Sequence, residues 1–101
     1  MRIEEHADRT ENAFGIRAED IHKWIDGFFD HDRFDAFVRS NQCIDFDPYS
    51  HRCHRHCREA LEDAIAEFEG QYSREQIRQV FETHIRDDYN GYVPSQEDFE
   101  N

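Results

Sequence analysis

Leucine is almost missing from this chain: Leu61 is the only one in 101 residues. Any core must therefore be built mainly from 9 Phe and 8 Ile, with 3 Val beside them. Ile, Leu, Val and Phe together number 21, near the roughly 20% at which highly charged chains stop folding. Folding is still expected, because aromatics make up 14% of the chain and each buries far more area than an aliphatic residue. Cysteine is scarce and odd in number, with Cys43, Cys53 and Cys57, which argues against a disulfide framework. Only 4 Gly are present, too few for a glycine-rich phosphate cradle. No apolar run approaches the ~18 residues of a membrane span. Basic residues are outnumbered, 12 against 24 acids, for a formal charge of −12. Such a chain is repelled by nucleic acid and by anionic membrane surfaces, so neither is expected as a direct partner.

The acidity is spread evenly. Residues 1–50 and residues 51–101 each carry 12 acids and 6 bases. An even spread reads as a solubilising surface, of the kind a salt-adapted host favours. A nucleic-acid mimic would instead gather carboxylates in rows on one face. The first eleven residues are charged and hold no apolar segment, so no signal peptide is expected. A cytoplasmic protein with reduced thiols follows as the expectation.

Apolar residues recur at helical spacing, and no window shows the alternation of a half-buried strand. Five helices are predicted. The first covers about residues 3–13, with Ile3, Ala7, Thr10 and Phe14 on one face and Gly15 as its stop. The second covers about 18–29, with Ile21, Trp24, Ile25, Phe28 and Phe29 as its stripe and Gly27 loosening the last turn. A short third helix, about 33–39, takes Asp32 as N-cap and turns Phe34, Phe37 and Val38 inward. After an irregular stretch, Asp47-Pro48 opens a long fourth helix over about 49–69. Its inner face is Cys53, Cys57, Leu61, Ala64, Ile65 and Phe68. The fifth starts at a capping box, Ser73 to Gln76, and runs to about Tyr89 with Ile77, Val80, Phe81, His84 and Ile85 inward. Residues 90–101 read as an irregular tail. The fold class is all-α: one domain over residues 1–101, an antiparallel bundle of four to five helices centred on the second, fourth and fifth.

The densest group of chemically active side chains is residues 51–58, His51-Arg52-Cys53-His54-Arg55-His56-Cys57-Arg58. On a continuous helix Cys53 and Cys57 would project from one face with His54 beside them. Thiolate and imidazole suit zinc or iron, and His22 or His84 could supply a further ligand from an apolar stripe. The competing reading makes both cysteines small core residues. A second grouping uses His22 with Asp26 and His84 with Asp88, each four apart on a different helix, with His6 beside the stripe of the first. Bundles hold metals with such inward His and acid residues. Their ordinary role, though, is to bond to neighbouring carbonyls and acids. Arg52 and Arg55, in the early turns of the predicted fourth helix, form a candidate anion site. Pairing of Arg55 with Glu59 and of Arg58 with Glu62 is the plainer alternative. No nucleophile–base arrangement can be read, and a non-enzymatic role is expected.

Three stretches resemble a small bacterial family of unknown function: His6-Ala7 with Phe14-Gly15, then Glu19 to Asp26, then His51 to His56. The resemblance spans about half the chain and implies a compact helical domain of this size. It brings no activity and no catalytic residue. Histidines recur in the matching stretches, which favours metal binding. The leading expectation is a protein-interaction module that binds a protein partner or itself through an aromatic-rich surface. A zinc or iron bundle using Cys53, His54 and Cys57 is the first alternative, and an acidic mimic of nucleic acid the second.

Overall fold

The computed structural model describes residues 2–29, 31–40 and 51–99. Within them lie six α-helices, two 3-10 turns and no strand, so the fold is all-α. The helices are α1 (Ile3–Phe14), α2 (Glu19–Ile25), α3 (His31–Arg39), α4 (Arg52–Arg55), α5 (Leu61–Phe68) and α6 (Arg74–Asp88). No helix among the described residues is long and apolar enough to cross a membrane.

Local chemistry sets several boundaries where the sequence places them. Gly15 takes a φ of +75° and closes α1, its N–H donating to the Glu11 carbonyl at 2.9 Å. Ser73 Oγ accepts from the Gln76 N–H at 3.1 Å while Gln76 Oε1 accepts from the Ser73 N–H at 3.0 Å. Both bonds satisfy donors that the first turn of α6 would otherwise leave orphaned.

The core is one apolar cluster. Ile21 and Ile25 of α2 meet Ala64, Ile65 and Phe68 of α5 and Ile77, Val80, Phe81 and Ile85 of α6. α6 packs against α1, α2 and α5, so it is the axis of the fold. The C-terminal segment returns to this core: Tyr89, Val93 and Phe99 pack on it, and the Arg58 N–H donates to the Pro94 carbonyl at 2.8 Å.

Four expectations are corrected. The second helix ends at Ile25, not at Phe29. There the Trp24 carbonyl accepts from the Gly27 N–H at 3.1 Å and from the Arg55 guanidinium at 2.6 Å, and the guanidinium lies 4.0 Å over the indole ring. A Cβ on Gly27 would sit 3.0 Å from that Arg55 nitrogen, so glycine lets the side chain approach. α3 begins at His31, which puts Asp32 inside its first turn rather than at the cap. α3 buries none of its residues, and Phe34 and Val38 are 37% and 59% exposed.

The fourth correction matters most for function. The long helix predicted over 49–69 is broken. α4 stops at Arg55, Cys57 is fully extended (φ −129°, ψ 154°), and a 3-10 turn over Arg58–Ala60 leads into α5. The start expected at Asp47-Pro48 lies outside the described residues, as does Cys43. The break swings His56 into the interior, where it is wholly buried. It also separates Cys53, which is exposed, from Cys57, which is buried in the apolar core.

Candidate metal centre

Residues four apart on a helix share a face, and that spacing recurs at the centre of this molecule. α1 presents His6 and, one turn on, Thr10. α2 presents His22, with Asp26 at its C-cap. α6 presents His84 and Asp88. His56 enters from the break after α4, and His51 from the residue before it. Five imidazoles and two carboxylates thus meet where four segments converge.

The distances are those of one packed cluster. Asp26 Oδ1 lies 3.5 Å from His51 Nε2, 3.2 Å from His56 Nε2 and 3.3 Å from His84 Nε2. Asp88 Oδ2 lies 3.1 Å from His56 Nε2 and 3.6 Å from His84 Nε2, while its Oδ1 lies 3.4 Å from His6 Nε2. His22 Nδ1 faces His84 Nδ1 at 2.8 Å, and His22 Nε2 meets Thr10 Oγ1 at 3.1 Å. The rings of His6 and His84 are stacked with centroids 3.7 Å apart. His6, His22, His56 and His84 are all buried. Among the described residues, the partly exposed side chains at the cluster are Asp26 (21% exposed), His51 (11%) and Arg52 (16%).

Burial and charge set the protonation states. Burial pushes His22 down to about 3, and the neighbouring His84 and His6 rings add to the effect. Burial likewise takes His84 down to about 4, against the pull of Asp26. Both rings are therefore neutral near pH 7, the form that binds metal. His56 goes the other way: burial lowers it, but its bonds to Asp26 and Asp88 outweigh that and raise it. Burial opposes ionisation of Asp26 and Asp88 too. Hydrogen bonds from His51, His56 and His84 to Asp26, and the bond from His56 together with the nearby His6 and His84 rings at Asp88, override it and hold both well below the usual carboxylate range.

Metal–nitrogen and metal–oxygen bonds of roughly 2.0–2.2 Å place neighbouring ligand atoms roughly 2.8–3.6 Å apart, from octahedral to tetrahedral angles. The separations here, 3.1–3.6 Å for Asp26, His56, His84 and Asp88, match that spacing. Among the described residues, two groups gather enough ligand atoms for an ion: Asp26, His56, His84 and Asp88, and His6, His22 and His84. Such a donor set, all imidazole and carboxylate, suits zinc, iron and other divalent first-row ions. One held there could act as a Lewis acid or lower the pKa of a bound water.

Of the ligands predicted from sequence, His22 and His84 come together. Cys53, His54 and Cys57 do not join them. The His54 ring stacks on Phe28 with centroids 4.1 Å apart, outside the cluster. Burial raises the Cys57 thiol, which disfavours the thiolate a metal needs. The candidate anion ligands are used within the fold. Arg55 serves Trp24 and Phe28, and Arg52 reaches Asp88 at 3.5 Å and covers the Tyr89 ring at 5.1 Å. Sequence reasoning missed His56 and His51 as cluster members. The two His-x-x-x-Asp pairs were the signal in the sequence for the two helices, α2 and α6, that supply His22, Asp26, His84 and Asp88 to the cluster.

No protein-family model, no curated protein and no solved structure matches this chain.

Proposed function

We propose that this protein is a metal-binding helical bundle whose centre takes a first-row divalent ion, zinc or iron, on Asp26, His56, His84 and Asp88. One observation carries the reading: ligand atoms from the C-cap of α2, from α6 and from the break after α4 lie 3.1–3.6 Å apart in a largely buried side-chain cluster. Histidines that merely finish hydrogen bonds would not need this crowding. His56 Nε2 faces an oxygen of each aspartate but has one proton to give. A cation at that point would serve all four groups at once. The formal charge of −12 favours cation capture generally.

Elemental analysis of the untagged full chain, expressed with zinc or iron supplementation, tests the reading. At least one ion per chain is expected, with Asp26→Asn and Asp88→Asn each lowering the content. A metal content near zero under both supplements overturns it. Phe28, Phe34 and Val38 are exposed on the described surface, and they support a second reading, the protein-interaction module. A strict monomer in sedimentation, with no partner recovered, would remove it.

A further inference from the structure

We propose that the cluster holds two ions, the second seated on His6, His22 and the Nδ1 side of His84, behind the Asp26–His56–His84–Asp88 set. This rests on the metal-binding reading above and extends it.

His84 has one ring nitrogen turned to each group. Its Nε2 lies 3.3 Å from Asp26 Oδ1, and its Nδ1 lies 2.8 Å from His22 Nδ1. Asp88 likewise reaches both sides, with Oδ2 toward His56 and Oδ1 toward His6. A ligand of the first site ordinarily gives its other ring nitrogen to an outer partner; here that partner is another buried imidazole nitrogen, itself able to bind an ion.

Proton bookkeeping points the same way. Thr10 Oγ1 lies 3.2–3.3 Å from the carbonyls of His6, Ala7 and Arg17. When its single proton goes to one of them, the hydroxyl accepts from His22 Nε2–H and His22 Nδ1 keeps a lone pair. With the Nε2 proton of His84 turned to Asp26, His84 Nδ1 keeps one too, and the two nitrogens, 2.8 Å apart, can both bind a cation seated beside them. Thr10 then acts as the outer partner that fixes the ligand's tautomer and aim. In the other tautomer the same two nitrogens share one hydrogen bond.

His6 supplies the third ligand and the independent observation. It is 1% exposed, and neither ring nitrogen makes a hydrogen bond within the protein. Its Nε2 has only the 3.4 Å approach to Asp88. Buried imidazole nitrogens are ordinarily hydrogen-bonded, so a wholly buried ring without one, stacked on His84, is placed for something other than the fold. When both ions bind, the remaining ring proton of His84 leaves to solvent, and the imidazolate bridges them.

Native mass spectrometry of the metal-stripped full chain, titrated with zinc chloride alone, reads the stoichiometry directly. Two zinc ions are expected, falling to one in the double variant His6→Gln/His22→Gln. One ion in the parent chain overturns the second site and leaves the metal-binding reading standing. None overturns both. Two ions retained in the double variant place the second ion elsewhere and also overturn the proposal. Should the variant not fold, the parent chain loaded with Cu2+ decides. A spin-coupled paramagnetic resonance spectrum is expected, and the full signal of isolated ions overturns the inference.

Discussion

Acid should unfold the metal-free protein earlier and more steeply than its carboxylates alone would allow. His22 and His84 sit at about 3 and about 4 in the fold, whereas an imidazole in the unfolded chain titrates near ~6.5. Between those values the unfolded chain binds two protons that the native chain refuses. Stability is then fully present above about 6.5 and falls as pH falls, by ~1.36 kcal/mol per proton per pH unit, or about 2.7 kcal/mol per unit for both. From pH 6 to 4.5 the loss is about 4 kcal/mol, a large part of the 5–15 kcal/mol typical of a domain. His56 does not offset this. Its folded value is raised, so its contribution is complete below about 6.5 and is lost only as pH rises through that folded value. Asp26 and Asp88 are depressed, so theirs is lost only at lower pH, below about 3.9. Urea unfolding in chelator, followed by circular dichroism at several pH values in this window, measures the slope. His22→Gln removes one of the two protons and should halve it. A stability that stays flat from pH 6 to 4.5 refutes the reasoning.

Three further outcomes follow from single contacts. Arg55→Ala should destabilise by about 1–3 kcal/mol in urea unfolding, through loss of the charged bond to the Trp24 carbonyl and of the stacking on its ring; a neutral result would show that the end of α2 does not depend on it. Ser73→Ala should cost about 1 kcal/mol by removing the N-cap of α6, read by the same assay. Cys53 is exposed and Cys57 buried with its thiol pushed up, so a thiol reagent should modify Cys53 ahead of Cys57 in the folded chain. Cys53→Ser should leave the metal content unchanged, and a drop would return the thiol to the ligand set.

Much of this protein was legible from residue spacing alone. Ala7 and Thr10 inside α1, the stripe of α6, its Ser73 cap and the Gly15 stop are local features, fixed by side chains within one or two turns of each other. The apolar periodicity determined an all-α fold, but among the described residues only Phe68 and Phe81 join the isoleucines in the apolar cluster, while Phe14, Phe28 and Phe34 are exposed. His22 with Asp26 and His84 with Asp88 were visible because four residues make one helical turn. Tertiary structure decided the rest. Nothing between Arg55 and Arg58 forbids a helix, and periodicity carried one straight through. The chain breaks there in the fold that buries His56 against Asp26 and Asp88 and Cys57 in the apolar core. Those partners are about 30 residues away in sequence, beyond the reach of any local pattern. The same break parted the cysteines that a continuous helix would have aligned, and it moved the candidate ligand set from thiolate to imidazole and carboxylate.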